Sequence, residues 1–146
     1  MFKEIDWDLL VFFSALFVVT GSLEANGVSQ QIFSLMRLGP ETSLLAFSTI
    51  TVVLSNLVSN VPAVLLLRPV IPTLSDPHAG WLALAAASTL AGNLTLLGSV
   101  ANLIVAEIAR KRGVEMSFWE YTKAGALITI LSLAGGVVWI AAFIWK

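Results

Sequence analysis

Two polar islands sit inside apolar runs long enough to cross a membrane, and they restrict this chain more than any other feature. The first reads Ser55-Asn56-Leu57-Val58-Ser59-Asn60-Val61-Pro62. The second reads Ser88-Thr89-Leu90-Ala91-Gly92-Asn93-Leu94-Thr95 and continues through Gly98-Ser99 to Asn102. Lipid offers no hydrogen bonds, so an amide side chain or a freed backbone carbonyl at that depth must face protein, water or a bound ion. Interrupted helices in corresponding places are the sequence pointer to the binding site of a secondary transporter.

Composition makes the bilayer the solvent. Of 146 residues, 58% are hydrophobic and 12% charged, where a soluble domain carries about a quarter charged residues. A net charge of −1 leaves no basic field for nucleic acid. The chain has no cysteine, which excludes disulfides and thiolate metal sites. Met1-Phe2-Lys3-Glu4-Ile5-Asp6 is too acidic and short to open a cleaved signal peptide, so the first apolar run reads as a retained span. No Walker loop, metal cluster or nucleophile–base pair is present, so the chain is expected not to be an enzyme and to need no cofactor.

The expected class is an all-α polytopic membrane protein, one transmembrane domain over 1–146. It has a span at 7–27, a re-entrant helical hairpin at 42–67, a broken helix at 81–106 and a span at 121–145. Trp7 serves as an interfacial anchor, and the polar connector that follows has room for a short interfacial helix. Gly39-Pro40-Glu41-Thr42 reads as a turn. So does the Pro-rich stretch through Pro69, Pro72 and Ser75-Asp76-Pro77-His78-Ala79-Gly80, with His78 a solvated turn residue. Gly113 suits a helix C-cap, and Ser117-Phe118-Trp119-Glu120 fits a capping box. Ser132 and Gly136 form a small-residue pair for packing in the last span.

The cluster Arg110-Lys111-Arg112, near Lys123, places its loop in the cytoplasm of a cell (inner or plasma) membrane. Charge does not decide the second block. Whether it crosses or returns, the counts of Lys and Arg on the two sides are five and three. Placement favours the return: Ser59-Asn60-Val61-Pro62 falls at a tip, where backbone groups need partners and Pro62 can open the second arm at its first position.

Hydroxyls, asparagine amides and carbonyls of an unwound helix suit a hard cation, while half-helix N-termini suit an anion. The bland reading stands beside this one: Ser, Thr and Asn also hold transmembrane helices together, and Gly/Ala runs serve close packing. Two islands with so many amides and hydroxyls tip the balance toward a site. Asn93-Leu94-Thr95 matches a glycosylation sequon but lies inside an apolar block, and is read as a false match.

Ser59–Leu67 and Thr89–Val105 resemble the C-terminal half of the ion transporter superfamily. That group takes in arsenite permeases, citrate transporters, divalent anion/sodium symporters and sodium/proton antiporters of the NhaD type. The resemblance implies inverted repeats, each with a re-entrant hairpin followed by a broken helix. It implies a substrate and ion site at Ser59, Asn60, Gly92, Asn93 and Thr95, supported by Ser55, Asn56, Gly98 and Asn102. Sodium would be the coupling ion, at Ser59, Asn60 and Asn93. Family hairpin tips carry Ser-Asn-Thr; Val61 departs from this, toward the arsenite permease and NhaD side.

The leading expectation is therefore cation-coupled secondary transport of a small anion (arsenite, citrate or dicarboxylate class) by alternating access. Four blocks amount to one repeat, so the expected partners are the lipid bilayer and either a missing N-terminal repeat or a second copy in a homodimer. Two readings compete: half of a sodium/proton antiporter, and a non-transporting membrane subunit or fragment whose islands only pack helices. A small channel is weaker.

Overall fold

A computed structural model describes residues 7–36 and 38–144. Met1–Asp6, Arg37, Trp145 and Lys146 lie outside the described residues, and with them the signal-peptide reading and three charges of the side count.

Among the described residues the chain is helical and has no strand. The helices are α1 (Trp7–Ala25), α2 (Val28–Met36), α3 (Leu44–Val58), α4 (Asn60–Leu67), α5 (Pro77–Ala91), α6 (Val100–Lys111) and α7 (Phe118–Phe143), with 3-10 turns at Arg68–Thr73 and Leu96–Gly98. Local sequence accounts for most boundaries. Gly27, at φ +73, turns the chain from α1 into α2, the short helix expected in the connector. Thr42 closes the Gly39–Thr42 turn through its amide and its hydroxyl. The Ser43 hydroxyl caps α3 by accepting from Ala46 N. Gly113, at φ +80, ends α6: its amide reaches Arg110 O and that of Val114 reaches Ala109 O, the paired bonds of a Schellman cap.

Three boundaries differ from expectation. The stretch from Pro77 to Gly80 is the first turn of α5, because the Asp76 carboxylate caps Ala79 N at 3.0 Å and Pro77 sits where its missing N–H costs nothing. His78 is exposed, but on a helix. Pro69 and Pro72 belong to a 3-10 turn over Arg68–Thr73 that prolongs α4. Pro62 is the third residue of α4, still within the turn whose N–H groups lack helical partners. The box at Ser117–Glu120 marks the start of α7 correctly, but the Ser117 hydroxyl makes no capping bond.

The core lies where α3, α4 and α5 meet, with α7 against α5. Ala79, Ala83, Ala87 and Ala91 form an i,i+4 stripe along α5, each at most 1% exposed. Such small residues let backbones approach closely, and Phe47, Ser48, Thr51 and Ser55 of α3 are equally buried. The two 15-residue helices α3 and α5 end together. Val52, Ala87 and Ala91 share one cluster, and Asn56 near the end of α3 bonds the Ala91 carbonyl at the end of α5. Leu44, Phe47 and Leu54 of α3 lie in the larger cluster with Ala79, Ala83 and Leu84 of α5 and with Ile71 and Leu74.

α7 has 26 residues and a mean hydropathy of 2.2 over its best window, long and apolar enough to cross a membrane. Its exposed side chains include Leu127, Ile130, Leu131, Val138, Trp139 and Phe143. α6 has no buried residue.

Candidate functional site

Both islands become breaks in helices. At the first, Ser59 adopts φ 74, ψ 161, the only non-glycine positive φ among the described residues. This region is nearly exclusive to glycine, and holding a serine there costs about 1–3 kcal/mol. At the second, α5 ends at Ala91. Residues 92–99 then run through a turn, an extended Thr95, the 3-10 turn and an extended Ser99 whose hydroxyl accepts from Ala101 N at the head of α6.

The second break is held from three helices. From α3, Asn56 Nδ2 donates to Ala91 O at 3.0 Å and to Val52 O at 3.1 Å, while its Oδ1 accepts from the Thr95 hydroxyl at 2.9 Å. From α6, Asn102 Nδ2 donates to Gly92 O at 2.6 Å and Thr95 O at 3.3 Å. From α7, the Thr129 hydroxyl donates to Leu90 O at 3.4 Å, and Gly125 lies directly against Asn93 O. A side chain on Gly98 would stand 2.9 Å from Asn56 Oδ1, so the glycine there is what admits the asparagine.

The candidate residues thus fall into different settings. Asn56, Thr95, Gly98 and Asn102 form one junction between α3, the break and α6, with their polar groups bonded to each other or to backbone. Gly92 is buried within that junction. Asn60 points elsewhere: its Oδ1 accepts from Val61 N at 2.9 Å and from the Ser59 hydroxyl at 3.5 Å. Its amide nitrogen bonds no protein group among the described residues, and Asn60 lines a cavity of about 160 Å³ with Val61, Val64, Leu65 and Ser88. Asn93 is exposed and lines a separate cavity of about 180 Å³ with Tyr121, Ala124, Gly125 and Ile128. Asn60 and Asn93 therefore do not share a cavity. Ser55 is fully buried, with its hydroxyl unpartnered among the described residues.

Sequence reasoning placed Ser88 in an island but not in the site. It missed Thr129 and Gly125 altogether, although their i,i+4 spacing puts them on one face of α7. Ser132 bonds Ile128 O within its own helix and Gly136 has open space around it, so that pair does not pack here.

Charges are peripheral. Glu107 accepts from Arg110 through both oxygens at 3.0 Å and lies 3.8 Å from Lys111. The Arg110 hydrogen bond holds the Glu107 carboxyl below its usual range, and Glu107 in turn raises Arg110. Arg68 is exposed at the end of α4. No group of His, Cys, Asp and Glu that could hold a metal occurs among the described residues. The two cavities beside the breaks present amides, hydroxyls and carbonyls with no fixed charge.

Comparison with known proteins fits this picture. Residues 1–91 match the model of a family described as citrate transporter. The putative transporter arsB of Dictyostelium discoideum is 41% identical over 142 residues, covering 92% of this chain and 25% of that protein. The silicon efflux transporter LSI3 of Oryza sativa subsp. japonica is 37% identical over 147 residues, 92% of this chain and 30% of its own length. A 46 kDa membrane protein of Mycobacterium leprae is 33% identical over 152 residues, 94% of this chain and 35% of its own length. The chain thus spans between a quarter and 35% of these three relatives. No solved structure matches it.

Proposed function

This chain belongs to the citrate transporter family, a family of membrane transporters, and from that membership and the geometry above we propose that it forms part of a secondary transporter for a small anion. The substrate would be of the citrate, dicarboxylate or arsenite class, moved by alternating access with sodium as the coupling ion. The observation that carries this reading is the grip of the first island's Asn56 on the second break. α3 and the interrupted helix join through Asn56 and Thr95, and beside that junction Asn60 and Ser88 open onto a small cavity.

Dimensions support a re-entrant hairpin. α3 is about 22 Å long at 1.5 Å per residue, and α4 with its 3-10 extension reaches about 24 Å. Both fall short of the roughly 30 Å hydrocarbon core, so the Ser59 tip would stop inside the membrane. α7, at about 39 Å, would cross it with tilt. In this arrangement α1 and the α5–α6 unit also cross, and the Arg110–Arg112 end faces the cytoplasm. The bare surface of α6 would be covered by the remainder of a longer protein or by a second copy, since alternating access needs another repeat to move against.

Asn60 and Ser59 would contact substrate and sodium, with Ser88 facing them; Asn93 would serve from the other side of the break. The packing-only reading has one observation in its favour, because Asn56, Thr95 and Asn102 are engaged with protein groups. Solute-dependent thermal stabilisation of the purified chain separates the two. Sodium with citrate or arsenite should raise the melting temperature of the parent chain, and Asn60→Ala should abolish the rise. If none of these solutes stabilises the parent, transport through this site is refuted.

A further inference from the structure

We propose that Asn56 and Asn102 are positioning residues that hold the second interruption open with no solute bound, so that a ligand meets a finished backbone. This rests on the reading of residues 92–99 as part of a transport site. In apolar surroundings an unwound segment rewinds unless the groups it frees are bonded elsewhere. Here four carbonyls at the break, those of Leu90, Ala91, Gly92 and Thr95, are bonded by this chain's own side chains. Leu90 O accepts from Thr129, Ala91 O from Asn56, and both Gly92 O and Thr95 O from Asn102. The amides of Asn93, Leu94 and Gly98 bond Leu90 O, Ala91 O and Thr95 O. The carbonyls of Asn93, Leu94, Leu96, Leu97 and Gly98 have no donor among the described residues, and the first two abut Gly125.

An interruption created by its ligand would leave Asn56 and Asn102 turned elsewhere, whereas both are engaged on the break here. The two clamps also come from opposite sides of the break in sequence, one from α3 and one from α6. Thr95 is gripped by both, through its hydroxyl and through its carbonyl. Losing a clamp should reduce the fraction of molecules with the break correctly formed. Apparent affinity then falls by that same fraction, without change in the contacts that touch the solute.

Amide hydrogen exchange on the full chain in detergent, without solute, tests the clamp directly. Asn56→Leu and Asn102→Leu should speed exchange at Leu94 and Gly98 by about tenfold or more, with the amides of α7 between 130 and 137 unchanged. Asn56→Asp keeps the acceptor for Thr95 but loses the donor to Ala91 O, and Thr95→Val deletes only the hydroxyl. Both should fall between the parent and Asn56→Leu, and they remain usable should the leucine variants not fold. A second arm titrates sodium citrate and sodium arsenite by thermal shift, where a tenfold loss of formed break raises the apparent Kd about tenfold and leaves the saturating shift in place. Unchanged exchange at 92–99, or exchange that rises equally through α7, overturns the proposal. Faster local exchange in a chain that neither solute stabilises leaves the clamp standing and removes the transport reading.

Discussion

Gly125→Ala tests the seat of the second break on α7. A Cβ at this position would overlap Asn93 O, and would stand 2.9 Å from Leu94 O and 3.2 Å from Asn93 C. All three are backbone atoms, so no rotamer change relieves the clash; α7 or the break has to move. Overpacking of this kind costs about 1–3 kcal/mol, and displacement of Thr129 from Leu90 O would lose a membrane hydrogen bond worth about 0.6 kcal/mol. Against this, alanine is better than glycine in a helix by about 0.8–1.0 kcal/mol. The net expectation is a destabilisation of about 1–3 kcal/mol. Gly136→Ala is the internal control. It lies in the same helix with nothing near its absent side chain, so only the propensity gain remains. The two variants should differ by about 2–4 kcal/mol, or about 4–16 °C in melting temperature for a chain of this size. Circular dichroism melts in one detergent measure the difference. If Gly125→Ala melts with or above Gly136→Ala, α7 does not seat the break.

Other outcomes follow from single residues. Ser59→Gly should stabilise the chain by about 1 kcal/mol, because glycine carries no penalty at φ 74; Ser59→Ala keeps the strain and should not, and equal melts for the two refute strain at the tip. Glu107 is held ionised by Arg110, so its contribution is present above the ordinary glutamate pKa and is lost as pH falls through the lowered folded value. NMR titration should find its midpoint below that of an unpaired glutamate, and Arg110→Gln should return it upward. A midpoint at the ordinary value would mean the ion pair does not form.

Much of the architecture is legible because polar residues have few tolerable places in lipid. That constraint alone located the breaks to within the islands Ser55–Pro62 and Ser88–Asn102. Although the Ser43 cap emerged only from the structure, the cap at Gly113 was equally plain. The contacts were not. Asn56 and Asn60 are four residues apart in near-identical Ser-Asn pairs, yet one clasps the second break and the other accepts only from its neighbours Val61 N and Ser59. Only the approach of α5 along its alanine stripe decides which. Gly125 and Gly136 are likewise equivalent as letters, and packing uses the first while leaving the second open. The Pro77–Gly80 start of α5 was misread because Pro and Gly suggest a turn. Asp76 as a cap outweighs them, and Gly80 is helical where Leu74 crowds the space a Cβ would take, at 2.8 Å.

Cysteine accessibility across a sealed membrane is the most direct test of the re-entrant arrangement on which the proposed site depends. The chain has no native cysteine, so Thr42→Cys before α3 and Ser75→Cys before α5 can be labelled singly with an impermeant maleimide. If 44–74 dips into the membrane and returns, both positions react from the same side, and a cysteine at Gly113 reacts only from the other. Labelling of positions 42 and 75 from opposite sides would mean that this segment crosses, and the tip at Ser59 and Asn60 would not exist.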